Sequence, residues 1–370
     1  MRKLQIATIY VGGFISPFWG QSLAAVLPEF ADSFGITLDQ AAATMAFFLF
    51  PFATVMLFSS RLVRAIPPHR VVLTAYAVTL IFTFVLIFTP WWGLFVVGFF
   101  VIGVASAFIT PVLQVILKAL IPPEELGSAL GIYATMQSLG LLSGPLISGV
   151  ASLVDWRLTY SVIAVAIIFI LLVRVPNVPA PVTEPESSSG PVRWIPLFVY
   201  MAGGFVVGAG IFGLGFLIAL HVEDQFSLGP VGRGLVVMSG GVAALIASRR
   251  IGIAADRHGA HSVFAVSALS GTIALAVVPL APTAWLVALA WAAAVLAAQG
   301  VQMTINLLVL RSPRGSSLLS TVQAFRFYGS GFAPLIFLPV YQLHSGWAFW
   351  LPALALGGVV LAHKATSSHR

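Results

Sequence analysis

Residues 176–191, Pro176-Asn177-Val178-Pro179-Ala180-Pro181-Val182-Thr183-Glu184-Pro185-Glu186-Ser187-Ser188-Ser189-Gly190-Pro191, form the one stretch of this 370-residue chain that reads as a linker. Rich in proline, serine and acid, it has nothing to bury and no reason to pack. The rest of the chain is its opposite. Of all residues 59% are hydrophobic and only 8% are charged, against roughly a quarter charged in a soluble domain. At a mean hydropathy of +1.03, too little polar surface remains to cover soluble domains, and the medium has to be a lipid bilayer.

An apolar run of about 20 residues crosses the hydrocarbon core. Twelve runs can be counted, near 5–30, 41–58, 71–89, 92–118, 128–153, 158–175, 194–220, 232–249, 262–281, 284–310, 315–342 and 346–363. The linker falls between the sixth and the seventh. This predicts an all-α polytopic membrane protein with twelve transmembrane helices in two bundles, 1–175 and 194–370, joined by a cytoplasmic linker over 176–193. The first run, behind Met1-Arg2-Lys3, is much longer than the roughly 7–15 residues of a signal-peptide core and reads as a retained span.

The net charge of +7 would elsewhere suggest a nucleic-acid partner, but the basic residues are dealt out singly or in pairs to short connections. With both termini inside, 15 of the 18 Lys and Arg fall on the cytoplasmic side, among them Arg61, Arg64, Arg249, Arg250, Arg257, Arg311 and Arg314. Arg157 and Arg233 fall outside, and Arg326 lies within a span. The bias orients the chain N-in/C-in, and nucleic acid is set aside. There is no cysteine, hence no disulfide or thiolate metal site. No HExxH, GxSxG or phosphate-binding loop is present, so neither an enzyme, a cofactor nor a metal site is expected.

Patterns recur at an offset of about 190 residues. His69 and His261 close the second connection of each half, Lys118 and Arg311 follow the fourth span, and the fifth and eleventh runs both open near Gly-Ser, at 127–128 and 315–316. Such duplication gives two pseudo-symmetric six-helix bundles with a substrate site near the bilayer midplane.

The stretch Gly252-Ile253-Ala254-Ala255-Asp256-Arg257-His258-Gly259-Ala260-His261 resembles the G-x-x-x-D-R-x-G-x-basic signature of the major facilitator superfamily, in the connection between helices 8 and 9. Its first-half counterpart departs from the pattern, with Arg64 at the acidic position and Pro67 at the second glycine. Gly140-Leu141-Leu142-Ser143-Gly144-Pro145 followed by Gly149 is similar to the helix 5 motif of the family's drug and metabolite exporters, and Asp155-Trp156-Arg157 to a Gly-Trp-Arg element of that subgroup. The helix 4 motif of proton-coupled exporters is not intact, since Phe99 holds its arginine position. The resemblance implies a secondary transporter working by alternating access, with helices 1, 4, 7 and 10 lining the cavity. It implies gating by Gly252, Asp256, Arg257 and Gly259, and by Gly140, Gly144 and Pro145 in helix 5. Asp256 would hold the cytoplasmic gate by touching the start of helix 5, near Gly127.

Arg326 stands 11 positions beyond Gly315, about 16 Å along a helix and near the middle of the bilayer. A cation there costs at least ~2.5–3.5 kcal/mol unless it faces a cavity or a partner. Ser316, Ser320, Gln323, Arg326 and Ser330 share one face, as do Gln299, Gln302 and Asn306 on helix 10, Ser106, Thr110, Gln114 and Lys118 on helix 4, and Tyr10, Pro17 and Gln21 on helix 1. The expected substrate contacts are Arg326, Gln323, Gln302, Asn306, Gln299, Gln114, Gln21 and Tyr10. Every acid lies at a span end or in a connection, which leaves Arg326 as the expected sole buried charge. A small neutral or anionic organic solute then fits better than a cation, and efflux better than uptake. The alternatives are a proton-coupled multidrug antiporter and, in a different class, a membrane receptor or scaffold. A coupling proton or counter-ion, a monomer, and a bacterial inner membrane complete the expectation.

Overall fold

The computed structural model describes residues 2–59, 66–178, 194–310, 312 and 315–367. The first-half loop at 60–65, most of the linker and the side chain of Asp256 lie outside the described residues. Among those described, secondary structure is helical only. The chain divides into two compact units, Met1–Thr183 and Glu184–Arg370.

The first unit holds α1 (Arg2–Gln21), α2 (Leu27–Phe34), α3 (Leu38–Met56), α4 (Pro68–Phe88), α5 (Trp92–Leu120), α6 (Pro123–Ala151) and α7 (Thr159–Val173). The second holds α8 (Trp194–Gly210), α9 (Gly215–Phe226), α10 (Pro230–His258), α11 (Ala260–Val277), α12 (Ala284–Leu310), α13 (Gly315–Leu343) and α14 (Trp347–Ser367). Local chemistry sets several boundaries. Proline occupies the first turn of α2, α4, α6 and α10, where its missing N–H would have no helical acceptor. Thr37 and Gln40 form a reciprocal capping box at the start of α3.

Packing within the two units follows one plan. In the first, α1 packs on α6, α7 and α5; α5 packs on α3, α4 and α6; and α7 packs on α4 and α6. Replacing these by α8, α13, α14, α12, α10 and α11 in the corresponding roles reproduces every pairing in the second unit. The weak sequence repeat is therefore a repeat of structure. Close backbone contacts correspond as well. A Cβ on Gly140 of α6 would lie 2.2 Å from the Phe14 carbonyl oxygen of α1, and one on Gly329 of α13 would lie 2.1 Å from the Phe205 carbonyl oxygen of α8, where one on Gly208 would also lie 2.0 Å from the Arg326 carbonyl oxygen. With lipid as solvent, such backbone approach and its dispersion contacts drive helix association.

Ten helical segments of the described chain are long and apolar enough to cross a membrane; α1 and α13 are not among them. The polar stripe of α13 is what lowers its hydropathy.

Three expectations need correction. The first run does not continue to residue 30: α1 ends at Gln21 and Pro28 opens a separate α2 after a turn. The connection 250–258 is no loop, because α10 runs without a break to His258 and turns only at Gly259, whose φ of +84° suits glycine. The seventh run is one span in two pieces. Its helix breaks at Ile211 (φ −133°, ψ −67°) and resumes through a short 3-10 turn at Phe212–Leu214. The break sits in Gly208-Ala209-Gly210-Ile211-Phe212-Gly213-Leu214-Gly215, four glycines in eight residues with the poorest helix propensity after proline.

Candidate functional site

The break in the α8–α9 span places Phe212 against α13. The Arg326 guanidinium carbon lies 5.1 Å from the centre of the Phe212 ring and 4.4 Å from that of Phe327, over both faces. The Arg326 backbone is locked against α8, because Gly204 and Gly208 leave no side chain between the helices. Ser330 ties the same contact by donating its hydroxyl to the carbonyl oxygens of Gly208 and Arg326, each at 3.1 Å. The side chain is half-buried, and among the described residues it makes neither a hydrogen bond nor an ion pair. Cation–π attraction offsets part of its desolvation; its N–H edges remain uncommitted. Gln323, three residues earlier on α13, is half-buried as well.

On α12, Gln302 donates from Nε2 to Asn306 Oδ1 at 2.9 Å. Gln302 is 5% exposed and its Oε1 has no partner, an acceptor held out of water at a cost of about 1–3 kcal/mol. Gln299, one turn away, is half-buried, as is Asn306. Since α12 packs on both α8 and α13, the carboxamides and the guanidinium belong to one helix trio.

In the first unit the expected residues do not form such a group. On α5, Ser106 is fully buried and Thr110 donates to Ser16 of α1 at 3.1 Å, whereas Gln114 and Lys118 are exposed. The α5 stripe is thus part helix glue and part surface. Tyr10 and Gln21 are half-buried on α1. Gly140, Gly144 and Pro145 are buried in α6, with Gly144 against the Phe18 carbonyl oxygen and Gln21. Gly252 on α10 meets Met303 of α12, while Arg257 and Gly259 are exposed at the end of α10.

Arg326 is not the sole buried charge. Arg233, placed on the outer side by the topology reading, is 1% exposed and pairs with Glu223 at 2.5 Å. The neighbouring Asp224 accepts from the Tyr341 hydroxyl at 2.7 Å, and His221, 3% exposed, packs edge-on against Tyr341 and Phe349. Together they knit α9, α10, α13 and α14. Sequence reading missed this network because its members lie 10 and 117 residues apart. It missed Phe212 too, although the glycine cluster around it was a usable signal.

The profile of the Major Facilitator Superfamily matches residues 9–334. Among solved structures, the fold is similar to that of the human organic anion transporter MFSD10 (TETRAN), with a TM-score of 0.72 over 98% of this chain and 99% of that one, at 13% identity. At that identity the likeness is one of fold. No curated protein matches the sequence.

Proposed function

The chain belongs to the Major Facilitator Superfamily and is a multi-pass membrane transporter, and we propose that it moves a small neutral or anionic organic solute by alternating access, in the direction of efflux. The observation that carries the anionic side of this reading is the uncommitted guanidinium of Arg326. A cation in mid-span that, among the described residues, meets aromatic faces but neither a hydrogen-bond acceptor nor an ion-pair partner is maintained at a cost that a structural role does not require. The carboxamides of α12, a helix packed on both α8 and α13, supply donors and acceptors; in the first unit, Tyr10, Gln21 and Gln114 are proposed as solute contacts. That MFSD10 is described as an organic anion transporter agrees with this.

In this reading all twelve runs span the membrane with both termini inside, α1 and α13 included, since a helix lining a polar path need not be uniformly apolar. Asp256 and Arg257, on the last turns of α10, and the Gly140–Gly144–Pro145 face of α6 are the proposed gate and hinge. The small-residue face of α6 supports efflux by its resemblance to exporters. The protein would act as a monomer in a bacterial inner membrane, without a cofactor.

Counterflow in proteoliposomes tests the proposal. A transporter exchanges labelled for unlabelled solute down no net gradient; a receptor or scaffold does not. Arg326→Ala is expected to abolish exchange of an anionic solute, and exchange at the parent rate would remove Arg326 from the site. One observation favours proton coupling as a second reading: Glu223 and Asp224 sit in an interhelical network in which protonation would break contacts among three helices. Exchange independent of pH would dismiss it.

A further inference from the structure

We propose that His261 and His363 form a proton-operated tie between the start of α11 and the end of α14, closed while the pair carries one positive charge or none and opened by a second proton. The 252–261 signature ends on His261, and neither the solute site nor the proposed gate uses that ring. It stands in the first turn of α11, directly after the turn at Gly259. Its Nδ1 lies 2.9 Å from Nε2 of His363. The ring planes are inclined by only 27° at 5.0 Å between centres, the arrangement of an in-plane N–H···N bond. His363 is 3% exposed, closed in by Phe264 of α11 and Tyr200 of α8, whose ring centres lie 4.2 and 6.1 Å away.

A hydrogen bond between two imidazole nitrogens holds a single proton: one ring donates and the other must offer a lone pair. Two neutral rings meet that condition. One cationic ring meets it too, since a proton on the far nitrogen of the donor leaves the bond in place and makes it charge-assisted. With both rings cationic, both facing nitrogens carry N–H, the bond is lost and two like charges meet. His261 also stands at the positive end of the α11 dipole, which disfavours a charge there. The surroundings offer little relief. At this end of the unit the ionisable residues of the packed helices are Tyr200 of α8, Lys364 of α14, and Asp256, Arg257 and His258 on the last turn of α10; α12 carries none, and α13 none before Arg326. By count, that is two fixed cations against one acid. Acid therefore frees the first turn of α11, next to the Gly259 turn that joins it to the signature on α10. On the proposed topology this end is cytoplasmic, so the tie responds to cytosolic pH.

The test is a double-mutant cycle in melting temperature on purified full-length protein: parent, His261→Phe, His363→Phe and both together, at about pH 8 and about pH 5. Phenylalanine keeps a ring and removes both the bond and the charge. Below about pH 6.5 the unfolded chain takes both protons while the tied pair resists the second, so the stability supplied by the tie is present at high pH and lost as pH falls. The two rings are expected to couple by about 2–4 °C at pH 8, the shift that one hydrogen bond gives a unit of this size. At pH 5 the coupling should vanish or change sign. Contributions from Asp256, His258 and Lys364 are common to all four proteins and cancel.

A second readout needs no substitution. Amide exchange in the parent, taken relative to the intrinsic rate at each pH, should quicken about tenfold or more over residues 263–266 at pH 5, while the middle of α11 keeps its protection. A coupling equal at both pH values, no coupling at pH 8, or exchange at the start of α11 that ignores pH would overturn the proposal. So would an acid-induced loss of stability that persists undiminished in His261→Phe, since burial of His363 alone would then be its cause. None of these outcomes touches the transport reading, and failed counterflow leaves the tie standing.

Discussion

Arg233 and Arg326 are both arginines in a bilayer protein, and their surroundings give them opposite duties. Arg233 is 1% exposed, whereas the Glu223 side chain beside it is 38% exposed. Removing the acid takes a counter-charge from the more buried partner, while removing the arginine leaves the more exposed one. Glu223→Gln should therefore destabilise more than Arg233→Met. Melting temperatures in one detergent check the order, and an equal or reversed pair would show that Glu223 does not compensate Arg233. Gln302 invites the contrary experiment. With its Oε1 buried and unpartnered, Gln302→Leu should keep or raise stability and yet lower exchange at least tenfold if the carboxamide meets solute. Intact exchange would mark Gln302 as structural. Arg326 could be read in the sequence because it interrupts an apolar run; Arg233 could not, since it stands at the end of a run and its burial exists only in the fold.

Among the elements, the glycine-faced pairs α1–α6 and α8–α13 set how closely backbones approach. An added methyl on Gly208 or Gly140 meets a carbonyl oxygen at 2.0 or 2.2 Å, whereas Gly131 on the same α6 has nothing within 4 Å. Gly208→Ala and Gly140→Ala should each cost about 1–3 kcal/mol, with Gly131→Ala near neutral. Similar melting points for all three would refute close packing as the reason for these glycines. The length of α10 changes how the 252–261 signature is understood. Gly252, Asp256 and Arg257 lie on a continuous helix, and only Gly259 turns. Asp256→Asn is expected to slow exchange while leaving membrane insertion intact; unchanged rates would end its gating role. The sequence marked this signature correctly but placed it in a loop, because its charged residues and glycines look like a connection when hydropathy alone is followed.

At the scale of the molecule, each unit repeats the other's packing plan, and the charge distribution has to orient both. The chain lacks cysteine, which makes single-cysteine labelling direct. In intact cells an impermeant maleimide should react with Asp155→Cys and should spare Ser187→Cys and Lys364→Cys until the membrane is opened. Labelling of Ser187→Cys from outside would invert the proposed topology. Sequence by itself determined the bilayer as solvent, the helical class and the family, because hydropathy and spacing are properties of neighbours along the chain. Tertiary structure alone decided the burial of Arg233 and the aromatic seat of Arg326, whereas the break at Ile211 has a local cause in its glycine cluster. Those depend on which faces meet across separate helices: Gly208 against Arg326, Arg233 against Glu223 of the preceding helix, Phe212 under a guanidinium more than a hundred residues away. No local pattern encodes such a meeting, since each partner's cost or gain exists only once the other is in place.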